Sequence, residues 1–337
     1  MQCPACGVDA TTENSQFCEE CGSALSPVTA VASNNVDPKL RCGKCGAGPN
    51  AVDGDGFCTQ CGSRRLTPWR DHFEDALSAK EAGVSDIGVK YHENQDFFVL
   101  GRAESGELTA IVCDGVSRSQ NSMEGSKVAC ETALESIYAD LKSGIDDPDA
   151  ILKQAMNRAQ EAICEVPFVK GLTEIVAGEP EPIPPAQATA VGVLIKGHRI
   201  TIGWLGDSRA YWVDADGARQ LTIDHSWLNE VVGSGEMTAD EALKDKLARG
   251  IVRSLGADFD GGNPGVTPDA LTLNLTEPGI LLIVSDGFYV YADEARIADL
   301  LKRQPKGVDA LTLARRLVEY ARNAGGRDNI TVVAVIC

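Results

Sequence analysis

From about residue 80 onward, short apolar runs alternate with longer stretches in which apolar residues recur every three or four positions. The runs are FFVL (97–100), TAIVC (109–113), ATAVGVLI (188–195), RITIGWLG (199–206), RAYWV (209–213), ALTLNL (270–275), GILLIVS (279–285) and NITVVAVI (329–336). Many are β-branched and bounded by Gly, Asp or Asn, a pattern that predicts strands. Helical periodicity covers 123–143, where Val128, Ala129, Thr132, Ala133, Ile137 and Leu141 share a face. Pro148 opens the next helix, with Ile151, Ala155, Ala159 and Ile163 on its apolar side. Two more helices fit 293–303 and 307–322. Helices arrive in pairs between groups of strands, which predicts an antiparallel, layered α+β domain and not a doubly wound parallel sheet. The segment EIVAGEPEPIPPAQ (174–187) is too proline-rich for regular structure and reads as a surface loop.

The first 65 residues follow a different rule. CPACGVDATTENSQFCEECGS (3–23) and CGKCGAGPNAVDGDGFCTQCGS (42–63) are two copies of one unit. In each, C-x2-C-G is followed by a polar loop and then F-C-x2-C-G-S, with eleven or twelve residues between the two inner cysteines. A C-x2-C turn lets two thiolates reach one tetrahedral ion, and the glycine after each pair permits the tight backbone knuckle. The spacing resembles the zinc-ribbon family. It implies one structural zinc held by Cys3, Cys6, Cys18 and Cys21 and a second held by Cys42, Cys45, Cys58 and Cys61. Each unit is too small for a hydrophobic core, so bound metal must supply folding energy, on the order of 10 kcal/mol. Redox dithiols are the alternative, and the repeated spacing argues against them. The organisation expected is a ribbon over 1–24, a linker over 25–40, a second ribbon over 41–64, a connector over 65–79 and a larger domain over 80–337.

Charge narrows the function classes. The net charge of −18 argues against binding nucleic acid or an anionic membrane surface through bulk electrostatics. Residues 1–65 carry five Lys/Arg against seven Asp/Glu, which favours a protein partner or a spacer role for the ribbons. No run reaches the ~20 apolar residues of a membrane span, and MQCPACGVDA lacks the layout of a signal peptide. The cysteine usage then suits the reducing cytoplasm.

Three aspartates stand at strand ends: Asp114 after TAIVC, Asp286 after GILLIVS, and Asp328 just before NITVVAVI. If the strands near 280–285 and 330–336 pair antiparallel, Asp286 and Asp328 become neighbours. If the strand ending at Asp114 reaches the same edge, three carboxylates converge, and they would not all ionise without a cation. With no His or Cys at hand other than Cys113 on the strand itself, oxygen donors suit Mg²⁺ or Mn²⁺.

At this point residues 80–337 resemble the PPM-type, or protein phosphatase 2C, family of metal-dependent Ser/Thr phosphatases. The motifs run in order: HENQD (92–96), VCDG (112–115), ATAVGVLI, GDSRAYW (206–212), LTIDHSW (221–227), VRSLG (252–256), SDGF (285–288) and RDNITVV (327–333). The resemblance implies a four-layer α-β-β-α sandwich of two mainly antiparallel sheets flanked by helices. It implies hydrolysis of phosphoserine and phosphothreonine in proteins, products of a Ser/Thr kinase, by a metal-activated water between two Mn²⁺ or Mg²⁺ ions. By motif match, Asp114 would bridge both ions, the Gly115 carbonyl would bind one, and Asp286 and Asp328 would hold the other. Asp96 would support the attacking water, and Asp207 would ligate a third ion found in some bacterial members. His225 reads as structural, and 227–251 matches the family's mobile flap. The sequence departs from the pattern at Gln95, where Glu is common, at Val116, at Val290, and at Tyr91, which stands where a phosphate-binding Arg falls. Arg118, four residues after Asp114, is then either the residue that takes over the phosphate or a solvated loop arginine. The alternatives are a pseudophosphatase or a zinc-ribbon scaffold acting as a protein-binding module.

Overall fold

The computed structural model describes residues 47, 51, 58–60, 68–176, 178–248 and 250–337. The chain divides into two compact units, 1–72 and 73–337. Both predicted ribbons and the linker between them lie outside the described residues, apart from a few positions that include a buried Cys58. The first unit ends in a single helical turn, α1 (Pro68–Asp71).

Two antiparallel sheets form the second unit. One has six strands in the order β1 (His72–Ala76), β2 (Glu81–Asp86), β15 (Ile330–Ile336), β14 (Ile280–Val284), β10 (Arg209–Val213) and β11 (Ala218–Gln220). The other has five: β13 (Asp269–Asn274), β9 (Arg199–Leu205), β8 (Ala190–Lys196), β4 (Leu108–Cys113) and β3 (Phe97–Arg102). Two small ribbons complete the set, β5 (Thr173–Val176) with β6 (Glu179–Pro182), and β7 (Gln187–Ala188) with β12 (Leu255–Gly256).

The period of two along each strand builds the layers. On β15, Val333 and Val335 face the second sheet, while Val332 and Ala334 face the helices. Leu281 and Ile283 alternate with Leu282 and Val284 on β14, and Ala210 and Trp212 with Tyr211 and Val213 on β10. The space between the sheets fills with Phe98, Val112, Val191, Val193, Ile202 and Trp204 from the five-stranded sheet. Helices α7 (Glu294–Lys302) and α8 (Ala310–Ala324) cover the six-stranded sheet through Ile297, Leu313 and Leu317. Helices α2 (Ser122–Lys142) and α3 (Pro148–Cys164) cover the other, with Leu152 against Gly203 and Met156 against Gly192. Asp147 caps α3 and Asp309 caps α8, each accepting from backbone N–H groups of the first turn. The antiparallel, layered α+β arrangement is the one the pattern predicts, and the two sheets flanked by helices are what the resemblance implies.

Three local readings need correction. β1 falls inside 65–79, the stretch expected to be a connector. Its Phe73 stacks on Phe98 at 4.9 Å and packs against Phe97 at 5.2 Å. β2 is buried on both faces but carries mostly small residues, with Val84 its only β-branched member, so it gives no strand signal. The proline-rich loop at 174–187 forms the β5–β6 hairpin. Its two prolines alternate with glutamates along β6, so the missing N–H groups fall together on the unpaired edge. Among the described residues no helix is long and apolar enough to cross a membrane.

Phe73→Ala should destabilise the larger unit by about 2 kcal/mol, since the ring is half-buried. The expected fall in Tm is about 4–8 °C, checked by calorimetry on the full chain.

Candidate active site

Five aspartates stand at strand ends and feel one another's charge. Phe97 pairs with Cys113, so Asp96, just before β3, lies beside Asp114, just after β4. Val284 pairs with Val332 and Arg209 with Val284, which brings the ends of β14, β15 and β10 together. Asp286 begins α6 (Asp286–Tyr289), Asp328 precedes β15 by two residues, and Asp207 sits in the turn between β9 and β10. The charges of Asp96, Asp286, Asp207 and Asp328 all act on Asp114. The convergence of Asp114, Asp286 and Asp328 expected from the sequence is thus extended by Asp96 and Asp207.

Close backbone approaches make this geometry. A Cβ at Gly287 would stand 1.9 Å from the Asn329 carbonyl, so α6 can start beside the β15 loop only with glycine there. A Cβ at Gly115 would meet the Gln95 and Ser122 carbonyls at 2.8 Å each. Its absence lets the Gly115 N–H donate to Gln95 O at 3.2 Å and draws the loop after Asp114 against the strand carrying Asp96.

Asp96 is the most enclosed of the five. Its Oδ2 accepts from Ser285 Oγ at 2.6 Å and from Thr331 Oγ1 at 2.7 Å. Its Oδ1 is buried without a hydrogen-bond partner at ordinary distance, although the Asp114 carboxyl interacts with it. Thr331 Oγ1 also pairs with Ser85 Oγ at 2.8 Å, which ties the site across β2, β15 and β14. Beneath Asp114, its backbone N–H donates to Thr189 Oγ1 at 3.2 Å, and that hydroxyl pairs with Ser208 at 2.6 Å. Asn329 orders the loop before β3: Oδ1 accepts from Gln95 N at 2.8 Å, and Nδ2 donates to the carbonyls of Ile87 and Glu93 at 2.9 and 3.1 Å. That loop carries Lys90, whose charge acts on Asp328.

Asp207 has its own support. The Tyr289 hydroxyl hydrogen-bonds to it, and the Tyr289 ring lies under the Arg209 guanidinium at 3.7 Å. Arg209 in turn grips Asp224 through Nε at 2.9 Å and Nη2 at 2.6 Å. His225 is structural, as expected: Nδ1 accepts from Gly206 N at 3.0 Å and Nε2 meets Asp269 Oδ2 at 3.1 Å. It fixes the turn that carries Asp207 and the start of the segment matched to the flap. That segment forms α4 (Trp227–Gly233) and α5 (Ala239–Ala242), and its two ends meet where Trp227 N donates to Gly250 O at 2.8 Å.

Arg118 does not join the cluster in the way the sequence suggests. Its Nε donates to Glu174 at 2.8 Å and its Nη2 to Glu181 at 2.6 Å, both on the β5–β6 hairpin. In this structure the guanidinium expected at the phosphate is paired with these two carboxylates. Tyr91 lies nearby, with its hydroxyl 3.4 Å from Ser117 Oγ.

Dehydration and crowding act on the same groups. Burial pushes the Asp96 carboxyl up to about 6, with the charge of Asp328 adding to it and Ser285 and Thr331 opposing it. Burial, then the charge of Asp224, pushes Asp207 up to about 6. Asp114 is raised well above the usual carboxylate range, by burial and then by its four neighbours. Burial also raises Asp328, tempered by the Asn329 N–H and by Lys90. Among the described residues no three His, Cys, Asp or Glu side chains are drawn together into a finished ligand shell. The crowded carboxylates around Asp114 are an oxygen-only donor set, the kind that hard divalent cations take.

Sequence reasoning missed Ser285, Thr331, Asn329, Tyr289 and Lys90. All but Lys90 lie within or directly beside the SDGF and RDNITVV motifs, and asking what holds a buried Asp96 would have found Ser285 and Thr331.

Residues 88–322 match the family described as protein phosphatase 2C. The protein phosphatase PhpP of Streptococcus pneumoniae is 27% identical over 252 residues, which cover 75% of this chain and 95% of that protein. The serine/threonine phosphatase of S. agalactiae matches with a TM-score of 0.59 at 26% identity, over 74% of this chain and 96% of that one. The catalytic domain of the phosphatase PstP, solved in complex with two manganese ions, matches in fold with a TM-score of 0.57 at 23% identity, over 76% of this chain and 97% of that one.

The raised carboxyls make a pH prediction. A carboxyl whose folded pKa lies above its unfolded value binds its proton more tightly when folded. Its stabilising contribution is present below the unfolded value near 4 and is lost as pH rises through about 6. Chelator-treated protein should therefore lose stability relative to Mn²⁺-loaded protein between pH 4 and 7. The Tm gap between the two should widen across that window in thermal scans.

Proposed function

The chain belongs to the protein phosphatase 2C family, and from that premise we propose that it hydrolyses phosphoserine and phosphothreonine in proteins at the aspartate cluster, with two divalent cations as cofactors. The observation that carries this reading is the Asp96–Asp114 pair, Asp96 buried and both carboxyls raised in pKa, with the charges of Asp286, Asp207 and Asp328 acting on Asp114 as well. A protein has little reason to bury adjacent carboxylates unless positive charge joins them. Intact Asp114, Asp286 and Asp328 favour the enzyme over the pseudophosphatase reading.

Asp114 and the Gly115 carbonyl would hold one ion, and Asp286 and Asp328, with Asp114 shared, the other. When bound, such a pair of cations makes water nucleophilic near neutral pH and offsets charge on the phosphoryl group. The chain's own residues prepare the rest. Ser285 and Thr331 hold Asp96 by one oxygen and fix it beside Asp114, where it would support the attacking water. Lys90 brings positive charge beside Asp328, where an anionic substrate would arrive. Asp207 would ligate a third cation only by sharing its carboxylate with the Tyr289 hydroxyl. Substrates are phosphoproteins, with a Ser/Thr kinase the reaction that supplies them. The doubled C-x2-C array supports two structural zinc ribbons, whose acidic composition suits a protein partner.

Chelation should abolish turnover of a phosphothreonine peptide, and Mn²⁺ or Mg²⁺ should restore it. Asp114→Asn, Asp286→Asn and Asp328→Asn should each lower kcat by ~100-fold or more. Asp114→Asn should also raise the Tm of the chelated protein, because it removes a buried charge from among its neighbours. Wild-type turnover in any of the three, or in chelator, would overturn the assignment.

Elemental analysis of protein with reduced thiols should find two zinc ions per chain. Cys3→Ser and Cys42→Ser should each lose one. Less than one zinc in the unaltered protein would remove the ribbons from the account.

A further inference from the structure

The β5–β6 hairpin contains a conflict that the structure resolves with one residue. Glu174 and Glu181 are direct cross-strand partners. Like charges placed opposite one another destabilise a strand pair. An isolated two-stranded hairpin is marginal in water even without that handicap. β6 reads Glu-Pro-Glu-Pro, so alternate residues lack an N–H to donate. Arg118 answers both glutamates at once, at 2.8 and 2.6 Å. Its side chain is 55% exposed, so the pairs add little to global stability. Their consequence is local: they tie the hairpin to the loop that leaves Asp114.

That loop and the hairpin enclose a groove of ≈ 540 Å³. Its walls include Arg118, Gln120, Phe168, Val169, Leu172 and Glu174. Gln120 stitches the two sides together: Nε2 donates to Val169 O at 3.1 Å and Ile183 O at 3.0 Å, and Oε1 accepts from Val169 N at 2.8 Å. Val169 and Leu172 nevertheless stay 62% and 41% exposed, so the groove offers apolar surface to something outside the chain. Of the residues that line the groove, Ser117 stands nearest to Asp114 along the chain. It lies three positions after Asp114, so their Cα atoms lie within about 11 Å. That distance puts the groove within reach of polypeptide whose phosphorylated residue is at the aspartates. The hairpin, residues 173–182, contributes three glutamates and no lysine or arginine.

We propose that the groove is the subsite for polypeptide flanking the phosphorylated residue, and that Arg118 is a positioning residue that shapes it by pinning the hairpin. The occupant is an extended segment with an apolar side chain for Phe168, Val169 and Leu172 and a lysine or arginine facing the acidic hairpin. The proposal rests on the phosphatase reading above. It assigns Arg118 to the substrate's polypeptide and not to its phosphate.

The test compares two substrates on the full chain with Mn²⁺. One is an aryl phosphate, which has no polypeptide. The other is a phosphothreonine peptide with a leucine and an arginine two to four residues from the phosphothreonine. Arg118→Ala should raise KM for the peptide by about 5- to 10-fold with kcat little changed, and leave aryl phosphate kinetics within twofold. Arg118→Lys should recover part of the loss, since an ammonium meets one glutamate well but not two. Glu174→Gln combined with Glu181→Gln in the Arg118→Ala chain should restore hairpin order by removing the repulsion. Hydrogen exchange over 173–182 should quicken in Arg118→Ala and slow again in that triple variant. Replacing the peptide's arginine by glutamate should raise KM in the unaltered protein.

Equal losses on both substrates would overturn the proposal and return Arg118 to the phosphate. Unchanged peptide kinetics, unchanged hairpin exchange, or indifference to the peptide's charge would overturn it as well. Absence of aryl phosphate turnover in the unaltered protein would instead strike at the phosphatase reading. The exchange measurement judges the role of Arg118 in either case.

Discussion

Asp96 and Asp114 end up side by side because Phe97 and Cys113 are partners in one strand pair. Two carboxylates held together in a dehydrated place oppose folding unless a proton or a cation joins them. The rest of that end of the sandwich is arranged around this pair. Ser285 and Thr331 donate to one oxygen of Asp96, and Thr189 supports the backbone of Asp114. Gly287 and Gly115 allow the backbone approaches that set the spacing. Each support fixes a carboxylate in place without neutralising it. That is what a cation site needs: rigid donors whose charge is left for the ion.

Rigidity at the strand ends comes from the layers behind them. β14, β15 and β10 bury side chains on both faces, toward the second sheet on one side and toward α7 and α8 on the other. A strand packed on both faces has no freedom to slip by one residue, because every side chain would change layers. Asp286 and Asp328 inherit that register. The hairpin and the segment with α4 and α5 lie outside these layers and are held by polar ties, Arg118 in one case and His225 with Arg253 in the other.

The layered fold and the core carboxylates were legible in the sequence because both have strong local signals. Runs such as GILLIVS and NITVVAVI end or begin at aspartates, and antiparallel pairing of neighbouring runs follows from that order. β2 was not legible, since EAGVSD derives its burial from its place between β1 and β15 and not from its own composition. The β5–β6 hairpin was hidden by its prolines, whose tolerance depends on lying at an edge. Arg118 was read by its distance in sequence from Asp114. Its partners are 56 and 63 residues away, and no local pattern announces them. Ser285 and Thr331 look like ordinary strand residues until Asp96 is seen between them.

β15 lies in the middle of the six-stranded sheet, between β2 and β14. The bond that joins Ser85 to Thr331 spans 246 residues. Pairings so distant carry a large loop-closure cost. Asp328 stands two residues before the same strand. A chain that stops short of Asp328 lacks both the centre of this sheet and one of the charges that act on Asp114. One short stretch of sequence thus completes the sheet and the aspartate cluster together.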